Sequence, residues 1–304
     1  MMKRLIYLVL AVAFCLTSPV NALNIIWVSD ASTPAADFAA AKTVDPAWQA
    51  VTEPWDQLWV DVLKAAGHNV DYTLGAAPGN GYWRTLDDAK IAALNAADRI
   101  IISRGTSSGD YNNGDERTQW NSIGTPMVLL TSYLARSNRW KWFNTDSLTA
   151  GADAPLMDGA PPFDALIDDL DVLDETVGTG NTSFVQAKDA GNGLAIAVVD
   201  TDYPNTAGGG IDGLAGSIWM AIWDKGEEFY AGAGQTAGDK RMYFSGGTWE
   251  GTNAAGVYWG QGMYNLTPEG EAMFLAAVAT IPEPATIALL GLGGLALLGS
   301  RKRR

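Results

Sequence analysis

Cysteine, histidine and positive charge are all scarce in this chain of 304 residues, which holds a single Cys (Cys15), a single His (His68) and 20 Lys and Arg against 34 Asp and Glu. One Cys forms no intrachain disulfide, so packing alone must hold the fold together. A formal charge of −14 argues against nucleic acid as a partner, because phosphate contacts need basic side chains. Long apolar runs are confined to the two ends. Between them, the content of 47% hydrophobic residues, 34 Gly and 12 Trp is that of a chain able to bury one sizeable core, not of a disordered tail.

At the N-terminus, Lys3 and Arg4 precede the apolar run Leu5 to Leu16, and Val20-Asn21-Ala22 supplies small residues before Leu23. The pattern is that of a cleaved signal peptide over 1–22, with Ala22 at the cut. A run of about 12 apolar residues is short for a bilayer that needs roughly 20, which disfavours a permanent anchor. Cys15 lies inside this run behind a bulky Phe14, a poor lipobox, and leaves with it.

The C-terminal 282–304 reads Pro282-Glu283-Pro284, then an apolar segment from Ala285 to Gly299, then Arg301-Lys302-Arg303-Arg304. Its basic end resists crossing a membrane, so the segment should stall there during export. In this order the three elements resemble a PEP-CTERM sorting tail. The resemblance implies transient residence in the inner membrane, cutting near Pro-Glu-Pro by an exosortase, and release to the cell surface, matrix or biofilm. It implies nothing about activity. Losing both ends removes six basic residues and one acidic one, Glu283, leaving a body of 14 basic and 33 acidic residues, net charge about −19. Such a field suits a solvated extracellular protein but decides no fold.

The intervening 23–281 alternates strand and helix signals and is expected to be one α/β domain. Short apolar runs at Leu23 to Ser29, Asn69 to Thr73, Arg99 to Ser103, Met127 to Thr131, Gly193 to Val199 and Arg241 to Ser245 read as strands. Arg99-Ile-Ile-Ile-Ser103 is apolar without alternation, as a parallel strand buried on both faces would be. Helices are expected from Pro54, with the stripe Trp55, Leu58, Trp59, Val62, Leu63 and Ala66 ending at Gly67, and over Leu86 to Ala97 and Asp115 to Ser122. A last helix starts behind Thr267, with Pro268 at its first position and Met273, Phe274, Ala277 and Val278 facing the core. The stretch from Asp146 to Gly193 reads as a loop-rich insertion. The expected architecture is a doubly wound, mostly parallel, flavodoxin-like sheet flanked by the signal peptide and the sorting segment.

Gly67-His68-Asn69-Val70 entering the second strand, Thr125-Pro126 entering the fourth and Asn265-Leu266-Thr267 entering the last helix give this order a diffuse resemblance. It resembles a class I glutamine amidotransferase-like domain, nearest the trehalose-utilisation type. In catalytic members a Cys stands on the turn after the Pro-led strand and a His-Pro-Glu segment follows a late strand. Here those places read Leu130-Thr131-Ser132-Tyr133 and Phe244-Ser245-Gly246-Gly247-Thr248. Without thiolate or imidazole the family's chemistry is lost, and the expectation is a domain that at most binds carbohydrate. The alternative is an extracellular hydrolase of carbohydrate or its esters, using Ser132 or a pair of carboxylates. His68 sits at the sheet edge opposite the one that binds ligands in such folds and is read as structural.

A site is expected at the carboxyl edge, in the loops Asp30 to Thr52, Arg104 to Tyr111 and Ser132 to Trp142. Arg104, Ser108, Asp110, Tyr111, Ser132 and Arg136 offer polar contacts there. In an extended segment Trp140 and Trp142 would share one side, either as an aromatic face for a sugar ring or as core. Asp200, Asp202, Asn205 and Asp212 suit either a Ca²⁺ ion or strand-end turns, without the spacing of an EF-hand. No cofactor or metal is expected beyond that weak Ca²⁺ signal.

Overall fold

A computed structural model describes residues 22–72, 81–150, 156–160, 163, 167–174, 182–200, 215–252 and 255–280. The apolar leader and the tail, with Pro282, Glu283, Pro284 and the basic end, lie outside the described residues, whereas Ala22 is described and exposed. Among the described residues no helix is long and apolar enough to cross a membrane.

Strand β1 (Asn24–Val28) is followed by the short helix α1 (Pro34–Ala39), then α2 (Gln57–Ala65), β2 (Asn69–Asp71), α3 (Asp88–Ala96), β3 (Arg99–Ile102), α4 (Glu116–Ser122) and β4 (Met127–Leu129). Side-chain caps start two of these helices: Thr33 accepts from the Ala36 amide and Asp87 from the Lys90 amide. Helix α2 ends at Gly67, whose φ of 93° is a left-handed value that suits glycine. Its buried residues are Trp59, Val60 and Leu63, while Leu58 points to solvent. Of the expected stripe Trp55, Trp59 and Leu63 are buried and Val62 and Ala66 half-buried, while Val60 faces inward in place of Leu58.

The chain continues through α5 (Ser132–Ala135), β5 (Leu148–Ala150), β6 (Leu156–Gly159), β7 (Leu170–Asp171), β8 (Ser183–Val185), β9 (Leu194–Val199), β10 (Ile218–Trp223), β11 (Arg241–Phe244), β12 (Gly251–Thr252), β13 (Tyr258–Trp259) and α6 (Pro268–Thr280). Among the described residues the main sheet has nine strands in the order β2-β1-β3-β4-β11-β10-β9-β6-β7, and β12-β13 and β5-β8 form two-stranded sheets. Pairings from β2 across to β11 are parallel, and those from β11 across to β7 are antiparallel. The α/β class holds, but a mostly parallel sheet does not: half of it is antiparallel. The run Ile-Trp-Met-Ala-Ile-Trp of β10 is buried throughout, and a continuous apolar run carries no mark of strand direction. The supposed loop-rich insertion likewise contains β5 to β8.

Alternating side chains cover both faces. Ile25, Trp27, Ile101, Val128, Trp219 and Phe244 pack with Trp59, Leu63 and Phe274. On the other face Ile26, Val28, Ile100, Ile102, Met127 and Leu129 pack with Trp120, Trp140, Trp142 and Trp223. Of the four residues expected to face the core, helix α6 buries Phe274, Ala277 and Val278, and Met273 is half-buried against them, with Thr267 Oγ1 accepting from the Gly270 amide. His68 is buried at the amino edge, its Nδ1 accepting from the Leu23 amide at 3.4 Å, which ties the end of α2 to the start of β1. Burial and the charge of Arg99 hold its pKa below the usual value.

Candidate functional site

At the carboxyl edge the chain leaves β1, β3, β4 and β11 in one direction, and the strand order turns between β1 and β3. Ligands of doubly wound folds settle in that crevice. Here its floor is occupied by the chain itself. Asp56 is fully buried, its Oδ2 accepting from Trp27 Nε1 at 3.0 Å and Ser103 Oγ at 2.5 Å, and its Oδ1 from Tyr72 OH at 3.0 Å. Burial pushes its carboxyl above the usual range, against the pull of the donors Ser103, Ser29, Trp27 and Tyr72. The segment after β13 seals the crevice: Gln261 Nε2 donates to the Gly105 carbonyl at 2.8 Å and Trp59 Nε1 to that of Gly262 at 3.1 Å. Gly262, at φ 87°, lies so close that a Cβ would stand 2.9 Å from the Gly105 nitrogen.

Of the predicted contacts, Arg104 and Arg136 each approach the same ring, that of Tyr133. Both guanidinium groups stand over the ring of Tyr133, at 4.5 and 5.3 Å from its centre. Arg104 is buried, and its nitrogens reach Gln261 Oε1 at 3.4 Å and Glu250 Oε2 at 3.5 Å. Both separations are long for charge-assisted bonds, which run about 2.7–2.9 Å. Its Nε has no hydrogen-bond partner among the described residues. Burial lowers its pKa from the usual guanidinium value, with Glu250 and Tyr133 opposing. Arg136 is half-buried, its Nε donating to the Tyr133 carbonyl at 3.0 Å, and burial and the charge of Arg139 lower its pKa.

Asp110 and Tyr111 belong to a neighbouring cluster. Arg84 bridges Asp30 at 3.0 Å and Asp110 at 3.1 Å, while Tyr111 is buried beside them. Burial, with the charge of Asp30, raises the pKa of Tyr111. Ser108 is partly exposed on the same loop.

Trp140 and Trp142 form no open aromatic face, since both are 0% exposed. Lys141 between them has φ 62°, so the segment is not extended, and its turn sends both indoles inward. Trp140 stacks on Trp120 at 5.3 Å and donates to the Tyr111 carbonyl, and Trp142 stacks on Phe229 at 5.4 Å and donates to Asn121 Oδ1. Ser132 is also wholly buried, and its Oγ has no hydrogen-bond partner among the described residues, whereas a nucleophilic serine needs a base within reach.

An exposed aromatic surface lies elsewhere on this edge. Trp48, 41% exposed, stacks on buried Trp55 with ring centres 5.6 Å apart and planes at 22°. Trp55 Nε1 donates to Asp37 Oδ2 at 2.7 Å, and Tyr258 meets Trp55 edge-on. Lys42 sits 4.0 Å over the Tyr258 ring and bonds Asp37 at 2.8 Å. Trp249 is 37% exposed beside Glu250. Its carbonyl accepts from Trp259 Nε1. Sequence reasoning missed Trp48, Tyr133, Arg84, Glu250 and Gln261. Only Trp48 carried a signal, as a Trp within a loop expected at the carboxyl edge.

Of the four predicted Ca²⁺ ligands, Asp202, Asn205 and Asp212 lie outside the described residues. Asp200 comes together instead with Asp158 and Asp169, one carboxylate oxygen from each lying within 4.8 Å of the others. The Asp169 amide also donates to Asp158 Oδ1 at 3.1 Å. Three carboxylates are hard-cation chemistry but fall short of the six to eight oxygens that Ca²⁺ takes.

Residues 280–304 match the model of the PEP-CTERM protein-sorting motif. The match implies an exported protein that transits the membrane, is processed by an exosortase and reaches the cell surface. Neither the curated proteins nor the solved structures contain a match to the chain.

Proposed function

We propose that this is a non-catalytic cell-surface or matrix protein whose α/β domain binds extracellular polysaccharide, and that the resemblance to amidotransferases reflects fold alone. The tail supports the address. The start of β1 at Asn24, two residues beyond Ala22, supports cleavage of the leader there by signal peptidase.

The observation that carries binding is the Trp48 surface. A solvent-facing indole is held rigid by stacking on Trp55, which is itself fixed by Asp37, so little entropy is lost when a flat ligand lands on it. The apolar face of a pyranose suits such a ring, and Lys42, over the Tyr258 ring that meets Trp55 edge-on, brings a charged donor to the same cluster. Sealing of the β1–β3 crevice and burial of Ser132 favour binding at the rim over chemistry in the cleft.

The test is titration of the full chain, in mild detergent, with cellotriose followed by tryptophan fluorescence. Binding should weaken at least tenfold in Trp48→Ala, with thermal stability kept. Equal affinity in wild type and variant, or no binding by either, would overturn the reading.

A further inference from the structure

Both ends of the described chain come out at one edge of the sheet. Leu23 and Asn24 enter β1 at the amino edge, the Leu23 amide donating to His68 Nδ1 and the Asn24 amide to Asp98 Oδ2 at 2.8 Å. Helix α6 runs to the same edge, where Nε of buried Arg99, the first residue of β3, donates to the Val278 carbonyl at 3.1 Å. Arg99 is in register with Ile25 of β1, so the two ends leave the domain one strand apart. The sorting motif begins where α6 ends. Only Ile281, Pro282, Glu283 and Pro284 separate Thr280 from the apolar segment that opens at Ala285. Four residues span about 14 Å even when fully extended. A headgroup layer takes about 5–8 Å of that reach, so in the membrane-held chain the end of α6 stands within about 10 Å of the lipid surface.

This edge is also the one an anionic leaflet repels least. Where β10 ends and β11 begins, Lys225 pairs with Asp239 at 3.2 Å and Lys240 with Asp224 at 3.5 Å, and buried Arg99 and Arg241 add positive charge beneath them. The edge therefore carries little of the exported body's charge of about −19, and at physiological salt charge farther away than about 8 Å is largely screened. Leu194, which starts β9 on the same edge, is an exposed apolar side chain.

We propose that, until the tail is cut, the protein stands on the phospholipid surface by the amino edge of its sheet, held there by the short stub after Thr280, with the Trp48 surface turned away from the membrane. The proposal goes beyond glycan binding and rests on the sorting tail alone. The exosortase then cuts directly beneath this edge. A leader cut after Ala22 leaves from the same edge, so both trims take place without the domain turning over.

The test uses the uncut full chain, made in cells without exosortase and reconstituted in vesicles of phosphatidylethanolamine and phosphatidylglycerol that carry a nitroxide headgroup lipid. A fluorophore is attached, in a Cys15→Ser background, at Ala65→Cys or Ala96→Cys, exposed positions closing α2 and α3 on the amino edge, or at Glu53→Cys, exposed before α2 on the carboxyl edge. The nitroxide should quench the first two labels at least twofold and leave the third nearly unchanged. Twenty Gly and Ser residues inserted after Thr280 add a leash of about 25 Å and should at least halve the quenching at the amino edge. Equal quenching at both edges, or stronger quenching at Glu53→Cys, would overturn the proposed orientation. Amino-edge quenching that survives the insertion unchanged would show that the stub does not seat the domain, and the proposal fails on that result too.

Discussion

Replacing Asp56 isolates the element on which the carboxyl edge depends. Its carboxylate joins four places in the chain: Trp27 on β1, Ser103 after β3, Tyr72 after β2, and the start of α2 itself. Asp56→Ala leaves two buried donors, Trp27 and Ser103, and the half-buried Tyr72 hydroxyl without their acceptor, the buried ones costing about 1–3 kcal/mol each. Part of that returns because a buried charge disappears, so the expected net loss is about 3–5 kcal/mol. Asp56→Asn keeps an oxygen for Trp27 and Ser103, which share Oδ2, and the Tyr72 hydroxyl on the other side can reverse its bond and accept from the amide, so the expected loss at neutral pH is about 1 kcal/mol or less. The pH dependence supplies a separate check. Burial raises the folded-state pKa of Asp56 above its unfolded value near 3.8, so the native protein holds this proton more tightly. That contribution to stability is present in full below the unfolded pKa and is lost as pH rises through the folded one. Urea unfolding between pH 4 and 8 should show wild type losing more stability on alkalinisation than Asp56→Asn. Parallel curves, or a loss under 1 kcal/mol for Asp56→Ala, would refute the reasoning.

Three further outcomes are expected. Trp140→Ala should cost about 3–5 kcal/mol in urea unfolding, as a large core deletion does, whereas Trp48→Ala at the surface should cost under 1 kcal/mol. Arg241, fully buried, donates to the carbonyls of Asn121, Ile123, Thr125, Asp239 and Lys240, and burial lowers its pKa to about 10. Arg241→Met should destabilise by about 3–5 kcal/mol and leave sugar affinity intact, since it lies at the opposite edge. Replacing Glu283 by Ala should leave an unprocessed, membrane-associated chain, seen as a larger band in the membrane fraction.

The parallel half of the sheet was legible because each strand there is a short apolar run closed by a helix with its own cap or glycine stop, as at Thr33, Asp87 and Gly67. The antiparallel half was not, because β10 is apolar throughout and β6 and β7, strands of four and two residues, are too short to show an alternating pattern. Arg104 and Arg136 were found as planar donors on the right loops. Their companions were not, because Glu250 and Gln261 reach Arg104 across about 150 residues, and no local pattern marks a contact of that span. Trp140 and Trp142 were open in the sequence between an aromatic face and core. The structure takes the core alternative, and the left-handed Lys141 between them breaks the extended segment that a shared face would need.

The same sealing that removes the crevice fixes the aromatic surface, so the two stand or fall together. Gly260 packs against Trp55 so closely that a Cβ there would stand inside the indole ring, and its carbonyl accepts from Thr248 Oγ1 at 3.1 Å. A methyl group at this point cannot be absorbed by a flexible chain end, because the neighbour is a ring held on one side by Asp37 and on another by Trp48. Gly260→Ala should therefore push Trp55 outward, cost about 1–3 kcal/mol as overpacking does, and tilt Trp48 out of its stacked position. Cellotriose affinity should fall together with stability. Gly256→Ala, on the same segment with open space around it but a φ of 78°, should cost stability without touching affinity. If Gly260→Ala loses stability and still binds cellotriose as wild type does, Trp48 owes nothing to the seal, and the sugar must be held by another surface.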